Sequence, residues 1–181
     1  MILPHSLVLC GVAGAGKTRL ATALARQLGV PLQEGDDLHP PANVARMAAG
    51  TPLDDADRAP WLDAIAAVIA GWHAADTPGI VTCSALKRAY RDRLRAAGPI
   101  GFVFLAIDAD LARARLGARA GHFMPATLVA SQFAALEVPA AEADVLTLPA
   151  DLDTATQVAA VLAALADPPV SPSPPARGAR A

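Results

Sequence analysis

The stretch Gly11-Val12-Ala13-Gly14-Ala15-Gly16-Lys17-Thr18 decides the fold. It satisfies G-x-x-x-x-G-K-[ST] at every position. Ahead of it lies the apolar run 6–10, which reads as a buried strand. Behind it, residues 19–28 set Leu20, Leu24 and Leu28 four apart with Ala21 and Ala25 beside them, one stripe of an amphipathic helix. Strand, glycine-rich turn and helix in that order predict a phosphate-binding loop for a nucleoside triphosphate. Glycines let the backbone curl until successive N–H groups point at one anion. The helix N-terminus adds the positive end of its dipole. Lys17 is placed to reach the β- and γ-phosphates, and the Thr18 hydroxyl to take a coordination position on Mg²⁺.

Outward from the loop, strand-like runs recur at 6–10, 30–33, 80–83, 102–107 and 145–148. Helical spacing fills the intervals, with Trp61, Ile65, Val68 and Trp72 in 57–74 and Val158, Val161, Leu162 and Leu165 in 154–166. Alternation of this kind predicts an α/β fold of three layers, a five-stranded parallel sheet covered by helices on both faces. Two helical stretches, 41–49 and 57–74, separate the second strand from the third, more than a plain crossover needs. Residues 37–75 are therefore expected to form a substrate-binding insertion. Ligands in such sheets sit beyond the carboxyl ends of the strands, so the segments 34–39, 84–91, 108–110 and 149–151 matter most.

One domain is expected over residues 1–166. The tail 167–181 holds five prolines among serines, glycine and arginines, cannot pack a core, and is expected to be disordered. A net charge of −2 with no basic face argues against nucleic acid as a partner. No apolar run approaches the roughly 20 residues that a bilayer span requires, and no secretory signal is apparent. The two cysteines, Cys10 and Cys83, are too few for a disulfide framework or a metal site. Both are expected to be small core residues in a reducing cytoplasm.

Four groups of side chains carry the expected chemistry. Glu34 and Asp36 stand two apart around Gly35 on the turn after the second strand, followed by His39. Transfer of a phosphoryl group to an alcohol needs one group to orient the acceptor hydroxyl and oxygen ligands for Mg²⁺, and one carboxylate suits each task. In 54–62, Asp55 or Asp57 is expected to cap the helix that carries Trp61. After the third strand, a helix starting at Ser84 or Ala85 carries Lys87 and Arg91 on one face. Cations in a first turn oppose the helix dipole, which suggests that an anion is wanted there. Arg115 and Arg119 precede Gly121-His122-Phe123-Met124, fitting a lid over about 115–126 that closes on the nucleotide and excludes water.

Taken together, G-V-A-G-A-G-K-T, G-D-D-L-H-P-P-A-N, R-M-A-A-G-T-P-L-D-D-A-D-R-A-P-W-L, C-S-A-L-K-R-A-Y-R-D and R-A-G-H-F-M followed by S-Q-F-A-A-L-E-V-P resemble gluconokinase. This is a family of small P-loop sugar-acid kinases related in fold to shikimate kinase. The resemblance runs from Gly11 to Pro139. It implies transfer from ATP, with Mg²⁺, to the 6-hydroxyl of D-gluconate in a cytoplasmic homodimer. It implies catalytic roles for Lys17, Asp36 and Arg119, and nucleotide contacts from residues 11–18, Arg115 and Arg119. It assigns gluconate to Asp36, His39, Arg58, Ser84, Lys87, Arg91 and His122, and the metal to Thr18 and Glu34. Ala13 and Ala15 stand where serines are frequent in the family, so hydroxyls there are not required. A shikimate or other sugar-acid kinase and an ATP-binding regulator without transfer are the rival readings. An intact acceptor side speaks against the regulator.

Overall fold

The computed structural model describes residues 5–117 and 128–166. Arg119, His122, most of the expected lid, and the Pro-rich tail lie outside the described residues. Five parallel strands form one sheet: β1 (Ser6–Cys10), β2 (Leu32–Glu34), β3 (Ile80–Thr82), β4 (Ile100–Ala106) and β5 (Val145–Pro149), in the order β2-β3-β1-β4-β5. The first strand lies at the centre because all five of its residues are buried. Leu9 pairs with Thr82 on one side and Val103 on the other. The chain leaves β1 toward β2 and later returns to place β4 on the opposite flank. The loop after β1 therefore opens at the switch point of the sheet, where a crevice forms.

Helix α1 (Lys17–Leu28) buries Leu20, Ala21, Leu24 and Ala25, as its spacing requires, and ends at Gly29 with φ +67°. It shares one face of the sheet with α7 (Thr154–Ala166) over a core of Leu7, Leu9, Leu105, Val158 and Val161. The other face is covered by α3 (Asp55–Ala74) and α4 (Arg88–Arg95) over Val8, Trp61, Ile65, Ile69, Leu94 and Phe102. Cys10 and Cys83 belong to this second core and are both buried and free. Helices α2 (Pro41–Ala48), α5 (Ala109–Gly117) and α6 (Leu128–Ala135) border the crevice.

Several boundaries differ from the sequence expectation, each for a local reason. The second strand starts at Leu32, because the Val30 N–H bonds the Ala25 carbonyl and so belongs to the end of α1. Asp54 caps α3, and Asp57 returns the bond to the Asp54 N–H, a reciprocal capping box in place of a cap by Asp55 or Asp57 alone. The stripe of α3 that meets the sheet is Trp61, Leu62, Ile65 and Ile69, which leaves Val68 only half-buried at its margin. The largest correction concerns α4. It starts at Arg88, because Ala85 has φ +40°, a left-handed conformation that no α-helix contains.

Candidate active site

The phosphate loop is shaped by contacts that leave no room for a side chain at Gly11 or Gly14. A Cβ on Gly11, at φ +129°, would lie 2.8 Å from the Leu105 carbonyl oxygen. One on Gly14, at φ +84°, would lie 2.8 Å from that of Ala112 on α5. Lys17 opens α1, and its Nζ donates to the carbonyls of Gly11 and Val12, 3.0 Å from each. Burial pulls the Lys17 pKa down, and Asp36 is the strongest of the charges that pull it back up. The amine is thus held inside the loop, in the same crevice as the carboxylate expected to handle the acceptor. Arg115 reaches the same loop from α5, donating to the Gly14 carbonyl at 3.4 Å and the Ala150 carbonyl at 3.0 Å.

Glu34 ends β2 and bridges donor and acceptor sides. Its Oε2 accepts from the Thr18 hydroxyl at 3.1 Å and from the Thr82 hydroxyl at 2.7 Å. Its Oε1 is buried with no partner. A carboxylate oxygen left over beside a threonine hydroxyl suits a hard divalent cation with oxygen ligands, so these residues fit Mg²⁺. The turn that follows is fixed in place at Gly35. The Gly35 N–H donates to the Thr82 hydroxyl at 3.1 Å, the Trp61 indole donates to the Gly35 carbonyl at 2.7 Å, and a Cβ would lie 2.0 Å from the Thr82 carbonyl. Only glycine fits, and the 3-10 turn Gly35–Leu38 therefore presents Asp36 at one place.

His39 stacks on Trp61 with ring centroids 4.2 Å apart. Burial lowers its pKa to about 4, so the imidazole is neutral at physiological pH. Its Nδ1 is buried without a partner, as is the Ser84 hydroxyl. Arg58 projects from the first turns of α3, and its Nε donates to the Leu53 carbonyl at 3.4 Å. Lys17, Thr18, Glu34, Asp36, His39, Arg58 and Ser84 all line one crevice. Buried polar groups normally find partners, because an unmade hydrogen bond there costs the full desolvation of the group. Among the described residues, every buried side-chain polar atom without one lines this crevice.

Two expected gluconate contacts are placed elsewhere. Lys87 precedes α4 and donates to both carboxylate oxygens of Asp55, at 2.7 and 2.8 Å, on an adjoining surface that shares Arg58 with the crevice. Tyr90 also donates to Asp55. Arg91 is a correction. It is 1% exposed and ion-paired with Glu142 at 2.6 Å, and it donates to the carbonyls of Ala85, Leu86 and Glu137. Its positive charge serves an internal anion, and this fastens the loop that carries Ser84.

The sequence reading missed Thr82, Gln132 and the apolar wall of Met47, Leu53, Leu116 and Leu128. Thr82 ends a strand that points at the crevice, a position signal that was available. Gln132 had no local signal, since 119 residues of chain separate it from Ala13, whose N–H it accepts at 2.7 Å.

A family model described as an AAA domain matches residues 7–139. The chain is 52% identical over 141 residues to the gluconokinase of Gluconobacter oxydans, an alignment covering 75% of this chain and 77% of that one. It is 42% identical over 149 residues to the thermoresistant gluconokinase of Escherichia coli, covering 81% and 85%. Among solved structures, the gluconokinase from Sinorhizobium meliloti superposes with a TM-score of 0.82 at 42% identity, covering 92% of this chain and 94% of that one. The shikimate kinase from Aquifex aeolicus gives 0.64 at 15% identity, a likeness of fold alone.

Proposed function

This chain belongs to the gluconokinase family, and from that premise we infer that it transfers the γ-phosphoryl group of ATP to the 6-hydroxyl of D-gluconate. The products are 6-phospho-D-gluconate and ADP. One observation carries the reading at the site: the unpartnered polar atoms of Glu34, His39 and Ser84 converge on the crevice that holds Lys17, Asp36 and Arg58. A nucleotide-binding regulator has no need of that second set.

In this reading, main-chain N–H groups of the phosphate loop other than that of Ala13, together with the Lys17 amine, hold the donor phosphates. The amine turns from the Gly11 and Val12 carbonyls toward them. Asp36 orients the 6-hydroxyl and takes its proton as oxygen bonds to phosphorus and the bond to ADP breaks. Arg58 offers a two-pronged fork to the substrate carboxylate. Neutral His39 and the Ser84 hydroxyl meet hydroxyls along the carbon chain. Thr18 and Glu34 would hold Mg²⁺, whose charge offsets that of the phosphates. Arg115 and Arg119 act on the nucleotide, and His122 on gluconate. Positioning and charge carry most of the rate, since phosphoryl transfer asks little covalent chemistry of a protein.

Among the described residues no helix is long and apolar enough to cross a membrane. A cytoplasmic homodimer completes the proposal. The direct test is product identification by mass spectrometry from gluconate and MgATP, beside shikimate, glucose and nucleoside monophosphates. A phosphorylated product from gluconate is expected; one from shikimate alone, or ATP binding with no transfer, overturns the assignment.

A further inference from the structure

We propose that Gln132 is a positioning residue for phosphoryl transfer, holding the phosphate loop in its working shape through the main-chain amide of Ala13. The proposal rests on the transfer reaction inferred above. Gln132 is 5% exposed and lies on the crevice wall with Lys17 and Asp36. Its Oε1 accepts the Ala13 N–H at 2.7 Å. That bond takes one donor of the loop out of the pool available to an anion and fixes the direction of the peptide plane ahead of Gly14.

Ala13 and Ala15 provide no hydroxyl with which the loop can brace itself, so the bracing acceptor comes from another element. The next residue is held in a different way. Gly14 rests on the Ala112 carbonyl, and its own carbonyl accepts from Arg115. The outer arch of the loop is thus fastened at adjacent residues, to α6 at Ala13 and to α5 at Gly14. Deleting the Gln132 oxygen leaves the Ala13 N–H to seek another acceptor, water or a phosphate oxygen, and the loop turns with it. A rate that depends on in-line placement is sensitive to such a turn, while binding of the acceptor is not.

Two variants separate this role from packing. Gln132→Met keeps length and bulk and lacks a good acceptor, whereas Gln132→Glu keeps an oxygen in place. With gluconate and saturating MgATP, the Met variant is expected to lose about tenfold in kcat while the KM for gluconate stays within about twofold. The Glu variant should recover most of that kcat. Amide hydrogen exchange read by NMR on the nucleotide-free protein gives a second measure. Ala13 should be protected in the wild type and the Glu variant, and should exchange at least about tenfold faster in the Met variant. Wild-type kcat in the Met variant, equal kcat losses in both variants, or an unprotected Ala13 amide in the wild type would each overturn the proposal. If the Met variant does not fold, wild-type exchange still decides. If wild-type enzyme makes no phosphogluconate, the transfer reaction falls while the loop bond is judged by exchange alone.

Discussion

Lys17 combines burial, which opposes its charge, with two carbonyl acceptors and the nearby Asp36, which support it. The charge is thus already in place at the loop before phosphate arrives, and a charge placed in advance is what makes electrostatic stabilisation effective. Lys17→Ala should lower kcat by about a hundredfold or more, equivalent to about 2.7 kcal/mol of barrier. Steady-state assays at saturating substrates measure this, and near-normal turnover would remove Lys17 from the mechanism. Arg58 lines the same crevice, with only its Nε engaged in a hydrogen bond among the described residues. Arg58→Ala should raise the KM for gluconate by about tenfold or more and leave that for ATP within about twofold. Equal rises for both substrates would contradict a carboxylate contact.

The loop between β3 and α4 shows how an element is held by charge. Arg91 ties the Ala85 and Leu86 carbonyls to Glu142, and Arg95 adds its own bond to Glu142 at 2.5 Å. Hydrogen bonding from Arg91, and next from Arg95, lowers the Glu142 pKa from an ordinary 4.5 to about 2. The stability this contributes is fully present above pH 4.5 and drains away as pH falls toward 2, where the folded protein must also take up the proton. Glu142→Gln should lower Tm at neutral pH and flatten its fall between those limits. A parallel Tm–pH curve for variant and wild type would count against the pair. Arg91→Ala should cost about 3 kcal/mol or more by removing the buried guanidinium from the Ala85, Leu86 and Glu137 carbonyls and leaving Glu142 with Arg95 alone, visible in a denaturant melt. A selective rise in the KM for gluconate with unchanged stability would restore Arg91 to the substrate side.

At the scale of the molecule, folding rests on two cores, one on each face of the sheet, both built from residues before 167. A chain ending at Ala166 should therefore keep its Tm and its kcat within about twofold, and a larger loss would give the Pro-rich tail a structural task. The α/β layering, the phosphate loop and the acidic turn at Glu34–Asp36 were legible in the sequence alone. Each is written in short-range patterns: apolar runs, period-four stripes, and glycines with a lysine at fixed spacing. The roles of Arg91 and Gln132 were not, because their partners arrive from distant segments. Arg91 shows the limit well. Its place in the chain suggests an anion, and the tertiary structure provides one in Glu142, 51 residues away. Local sequence determined which elements form and where the triphosphate cradle lies. Only packing decided which charges remain for a ligand, since a charge is free for function only after the folded chain has used those that it must neutralise itself.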